Sequence, residues 1–152
     1  MSEGSDGAFP HLAGRLEGGV HRLPVRVYYE DTDFSGLVYH ASYLRFLERG
    51  RTDSLRAAGI DQSALHAAGE GIVFVVRRMT IDYLLPARMD DVVVVETRNA
   101  VVRGASLVIA QRILRGAEVL VTADVLVAAL VGGRPARIPD GLRAALSGSG
   151  GP

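Results

Sequence analysis

With 152 residues, no cysteine and 17 basic against 17 acidic side chains, the chain reads as one domain large enough to bury a core. The missing thiols exclude disulfides, thiolate metal sites and cysteine nucleophiles, and they fit a reducing compartment. The balanced charge gives no bulk attraction to nucleic acid, and no apolar run approaches the ~20 residues of a membrane span.

Residues 1–22 are Gly-rich and aperiodic, so a disordered tail is expected there, with His11 and His21 in solvent. No basic-then-apolar leader opens it, and a cytoplasmic location follows as the expectation. Residues 23–30, LPVRVYYE, alternate and read as a first strand. An acidic turn follows, Glu30-Asp31-Thr32-Asp33, and then Phe34-Ser35-Gly36. Tyr39, Tyr43, Phe46, Leu47, Gly50, Ser54, Leu55 and Ala58 fall on one face of a 3.6-residue period, which predicts a helix closed by Gly59. Gly50 and Ser54 leave room on that face for another element to come close. This spacing places Asp33 just before the helix and His40 in its first turn.

Residues 61–71 read as a short helical turn and a loop, with His66 on the surface. Four β-rich runs then start at Ile72, Asp90, Ala105 and Glu118. Short connections at Arg103-Gly104 and Arg115-Gly116 predict antiparallel hairpins. Val92 to Val95 and Val119 to Val131 show little polar alternation, so both faces of those strands are expected to be covered, one by the helix and one by another subunit. A short helix is expected after Pro139, then a flexible tail over 147–152. The sum is an α+β domain over 23–146, with an antiparallel sheet wrapped on one long helix.

The acidic turn supports three readings. It could be a solvated turn whose aspartate caps the helix. It matches the first half of a calcium loop, but position twelve is Ser42 rather than a bidentate glutamate. It could also be a hydrolytic site: Asp33 attacks a carbonyl or activates water, His40 moves a proton, and Tyr29 donates a hydrogen bond. Free N–H groups at a helix start would polarise the carbonyl. No G-x-S-x-G occurs, and a carboxylate without metal suits an activated ester better than an amide.

The run Tyr28 to Arg51, YYEDTDFSGLVYHASYLRFLERGR, resembles the signature of hot-dog-fold acyl-CoA thioesterases. The resemblance is to the 4-hydroxybenzoyl-CoA thioesterase family, in its subgroup associated with the Tol–Pal envelope system. FVVRRMTIDYLLPARMDDVVVVET and RGASLVIAQRI extend it over about residues 23 to 140. It implies a curved antiparallel sheet around a central helix, and homodimers or homotetramers with active sites at subunit boundaries. It implies acyl-CoA hydrolysis without cofactor or metal, with Asp33, His40 and Tyr29 as catalytic residues and Asp33 as nucleophile or general base. Candidate substrate contacts are Tyr39, Val76, Arg77 and Arg103; Phe74 or Tyr83 could also limit pocket depth. One departure is the turn at Arg103, which carries a single cation where the hydroxybenzoyl branch has adjacent basic residues for the coenzyme A phosphates. That leaves room for acyl carrier protein as the carrier. The competing expectation is a non-catalytic acyl-CoA or acyl carrier protein binding module on the same fold. Asp31 and Glu48 are expected to be structural, Glu48 in an ion pair with Arg45 or Arg51.

Overall fold

The computed structural model describes residues 8–60 and 71–148. The turn and loop expected over 61–70, with His66, lie outside the described residues, as do both chain ends. The elements run β1 (Arg15–Glu17), β2 (Val20–Arg26), a 3₁₀ turn (Tyr29–Asp31), α1 (Ser42–Ala57), β3 (Val73–Tyr83), β4 (Val92–Arg98) and β5 (Val101–Arg103). They continue with β6 (Ser106–Arg115), β7 (Glu118–Val131), β8 (Arg134–Pro135) and α2 (Asp140–Ser147). One antiparallel sheet has the order β1-β2-β4-β6-β7-β3, with β5 against β6 and β8 against β7. Both expected hairpins form, β5–β6 and β6–β7. The sheet and the long helix it holds make the expected hot-dog architecture.

The helix packs because its apolar positions recur on one side. Tyr43, Phe46, Leu47 and Gly50 are buried, and Phe46 and Leu47 are fully so, a burial worth roughly 1.5–3 kcal/mol for each large side chain. Opposite them stand Val93, Val95, Ile113, Val121 and Val125, alternate residues of β4, β6 and β7. Gly50 is where helix and sheet come closest: a Cβ there would lie 2.5 Å from Val95 Cγ1 and 3.0 Å from Thr97 Oγ1. The same spot carries a buried polar seam. Gln111 Nε2 donates to Leu47 C=O and to Thr97 Oγ1, each at 2.9 Å, and Arg51 Nη1 donates to Gln111 Oε1 at 3.1 Å. Gly59 ends the helix segment with φ at +83°, as its position predicts.

Three sequence expectations shift. Pairing starts at Arg15, ahead of Leu23, and His21 is fully buried rather than solvated. The inward alternation of Val27, Val25 and Leu23 continues back to His21, and its Nε2 lies 2.6 Å from Ala13 C=O. The strand also stops early. Asp31 closes a tight turn by accepting from Tyr28 N–H at 2.8 Å while Asp31 N–H donates to Tyr28 C=O, so Tyr29 lies on a turn and not a strand. Finally, the helix begins at Ser42, which puts Asp33 well ahead of it and His40 just outside it. Thr32 bridges Val38, and Tyr39 N–H donates to Asp31 C=O at 2.9 Å; this local backbone pairing holds 32–39 out of the helix. The valine runs are covered by the helix on one face, while Val92 and Val131 stay exposed within one chain.

Candidate active site

Asp33, His40 and Tyr29 all come from the segment between β2 and α1, a loop doubled back on itself. Asp33 N–H donates to Leu37 C=O, and Gly36 N–H to Asp33 C=O, each at 3.0 Å. Gly36 sits at φ +81°, a conformation that a side chain would strain. The Asp33 carboxylate is exposed and held at one oxygen, where Oδ1 accepts from the Ser35 N–H at 2.8 Å and from the Ser35 hydroxyl. The Ser35 hydroxyl bond, then the Ser35 N–H, lower the Asp33 pKa, and the charge of His40 adds to this. Asp33 is therefore ionised at neutral pH, with its second oxygen free of these bonds.

His40 stands at the mouth of α1 among aromatic rings. Its ring centroid is 4.6 Å from that of Tyr39 and 6.2 Å from that of Tyr83, and Tyr83 Oη donates to His40 C=O at 3.1 Å. Among the described residues, neither His40 N–H nor Ala41 N–H donates to another backbone carbonyl. Tyr29 is 80% exposed, and its carbonyl accepts from Thr32 N–H and Oγ1. No hydrogen bond joins the side chains of Asp33, His40 and Tyr29 to one another among the described residues.

The loop is braced from the far side by residues 84–91. Val38 N–H donates to Ala87 C=O at 2.9 Å, Ala87 N–H donates to the buried Tyr43 Oη at 2.9 Å, and Leu37 bridges Arg88. Arg115 pins that brace, with Nη1 on Asp91 Oδ2 at 2.9 Å and on Pro86 C=O at 3.2 Å. Asp31 is structural: its carboxylate is buried against Tyr28 N–H and lies 3.9 Å from Arg45. Glu48 makes no close ion pair among the described residues, against expectation; the half-buried Arg51 guanidinium donates to Gln111 instead, and Glu48 acts on it only through space.

The proposed substrate contacts do not converge in one chain. Tyr39 is beside His40. Val76 instead lines a cleft of about 310 Å³ between the second half of α1 and the sheet, together with Glu48, Thr52, Phe74 and Val127. Ten residues of helix separate Ser42 from Thr52, roughly 15 Å along the axis. Arg77 is the extra residue of a β-bulge between Val76 and Arg78, exposed like Arg103 at the β5–β6 turn. Tyr83, the other expected depth-limiting residue, lies at the loop end instead. Sequence reasoning missed the supporting group of Ser35, Ala87, Arg115 and Gln111. Asp-x-Ser in a turn is a legible signal for Ser35, and a lone glutamine at an inward strand position is one for Gln111. Ala87 and Arg115 act through long-range contacts that leave no local pattern. Among the described residues no group of three His, Cys, Asp or Glu could hold a metal ion.

The match to known proteins covers the same region. Residues 27–146 fit the model of the thioesterase-like superfamily. The chain is 52% identical over 107 residues to an acyl-CoA thioester hydrolase, YbgC, of Escherichia coli, across 70% of this chain and 78% of that one. It is similar to a solved probable thioesterase of Bartonella henselae at a TM-score of 0.75, with 44% identity over 79% of this chain and 99% of that chain. A thioesterase of Thermus thermophilus, solved with coenzyme A and zinc, shares 30% identity at a TM-score of 0.74 over 90% of this chain and all of its own. The acidic loop, the braced helix start and the wrapped sheet are thus those of a hot-dog protein, and this chain belongs to the thioesterase-like superfamily.

Proposed function

We propose that the chain hydrolyses acyl-CoA thioesters, releasing a carboxylic acid and free coenzyme A. The observation that carries this reading is the Asp33 carboxylate, ionised and exposed, held by Ser35 on the loop that leads to the open N–H groups of His40 and Ala41. As general base, Asp33 takes a proton from water as the water oxygen bonds to the thioester carbon. The developing oxyanion accepts from the N–H groups at the helix start, the C–S bond breaks, and the thiolate leaves with a proton returned from Asp33 or His40. As nucleophile, the Asp33 carboxylate bonds to the thioester carbon and expels the coenzyme A thiolate. Water then opens the mixed anhydride to the carboxylic acid, restoring the Asp33 carboxylate and giving up a proton that the thiolate takes. Tyr29, exposed beside the loop, supplies a hydrogen bond to the bound thioester.

The acyl group is assigned to the cleft beside Val76, with the acid coming from a second copy. Two observations support this division. The cleft is roughly 15 Å along the helix from the loop of its own chain. Strand β3 pairs only with β7 among the described residues, so its other backbone edge is free, and Val75, Val76 and Tyr83 stay exposed along the strand, an edge suited to another strand. The homodimer, its pairing into a homotetramer, a cytoplasmic location and a Tol–Pal association form one proposal with it. Among the described residues no helix is long and apolar enough to cross a membrane. Exposed Arg103 would meet a carrier phosphate, on coenzyme A or on acyl carrier protein.

The test is release of free thiol from a panel of short, long and aromatic acyl-CoAs by wild type and by Asp33→Asn. Turnover by wild type and a fall of about 10²-fold or more in the variant support the reading. Binding of acyl-CoA with no thiol release by wild type would make the protein a binding module instead.

A further inference from the structure

The acyl cleft ends at a partition. Leu55 of α1, Ile109 of β6 and Leu146 of α2 form its inner wall, and the same three side chains line a second chamber of about 600 Å³ on their other side. We propose that Leu55, Ile109 and Leu146 set the longest acyl chain the protein hydrolyses, with the chamber behind them closed to substrate in the native chain. This rests on the acyl-CoA hydrolase reading above.

The stop is steric. Ile109 and Leu146 are buried and belong to the core cluster, and Leu55 packs against it, so a chain end cannot pass without displacing them. On the near side Phe74, Val76, Leu107 and Val127 offer the chain apolar contact up to the wall.

Leu146 is the part of the wall that can be removed with least disturbance. It comes from a short end helix, docked through Ala100 N–H to Leu146 C=O at 3.0 Å, a backbone bond that truncating the side chain leaves in place. Leu146→Ala joins the cleft to the chamber, and Leu146→Phe thickens the wall.

The experiment measures kcat/KM for straight-chain acyl-CoAs from butyryl to palmitoyl, with circular dichroism melts as a control for folding. The expected result is that Leu146→Ala moves the optimum to longer chains. Its kcat/KM for the first chain beyond the wild-type limit should rise at least about tenfold relative to butyryl-CoA, and Leu146→Phe should move the optimum the other way. Leu55→Ala tests the same wall from the helix side should Leu146→Ala fail to fold. A folded variant of either kind with the wild-type chain-length profile overturns the partition and leaves the hydrolase reading standing. A wild type that cleaves none of these chains overturns the partition, and the hydrolase reading falls with it only if aromatic acyl-CoAs are not cleaved either.

Discussion

The two halves of α1 solve opposite problems. At its start, the loop 29–41 keeps an acid, a histidine and several aromatic rings in solvent, and holds them there with backbone bonds and the Ala87 brace. About one and a half to two and a half turns into it, Leu47, Gly50 and Arg51 meet the sheet with almost no space, and every side-chain polar atom of Gln111 is occupied. The first region spends contacts on position, the second on cohesion. Substitutions in the loop should therefore change rate with little change in melting, and substitutions at the seam should do the reverse.

The largest expected effect is on rate. Asp33→Asn should lower kcat/KM by about 10²–10⁴-fold with an unchanged melting temperature, since the amide oxygen still accepts from Ser35. A large loss of stability in that variant would break the contrast between the two halves. Next comes Gly50→Val. Its side chain would run into Val95 and Thr97, and it should lower unfolding free energy by about 3 kcal/mol, measured by urea titration. Tyr43→Phe links the two regions. It leaves the Ala87 N–H without an acceptor in a buried place, so roughly 1–2 kcal/mol of stability should go, with a several-fold drop in kcat as the brace loosens.

The smallest effect is on pH dependence. Ser35 bonds lower the Asp33 pKa, so the active carboxylate persists above that depressed value and is lost as pH falls through it. Ser35→Ala removes the largest lowering contact, and the acid limb of kcat/KM should move upward toward the ordinary 3.8. A limb that stays in place would mean that the backbone N–H of residue 35 carries the shift alone.

Periodicity made much of the fold legible. The stripe from Tyr43 to Leu55 and the turns at Gly104 and Gly116 are local patterns that form where they lie, whereas the run from Asp90 divides into β4 and β5 at Asn99-Ala100, whose N–H groups bond Gly19 and Leu146. Boundaries moved where side chains compete with the backbone pattern. Asp31 capped its own turn and ended the strand before Tyr29, and the Thr32–Val38 bridge delayed the helix to Ser42. The Gly-rich composition of residues 1–22 hides His21, although the alternation through Leu23, Val25 and Val27 leads to it and sets it inward, opposite Thr97. For the site, Tyr29 and His40 were expected on the strand end and in the first helical turn, and both instead share one loop with Asp33. The distance from Val76 could not be read, because it depends on how the sheet curls over the helix.

The bulge at Arg77 has a consequence for how this chain can vary. Phe74 and Val76 point inward at even positions and Met79 and Ile81 at odd ones, and the residue between them absorbs the change of parity. Loss of one residue at Arg77 would leave both inward sets where they are, in a regular strand. Loss of one residue at Thr80 would turn Ile81 outward and Asp82 toward the core. Length variation in this strand is thus accommodated at the Arg77-Arg78 pair, where loss of either arginine gives the same chain.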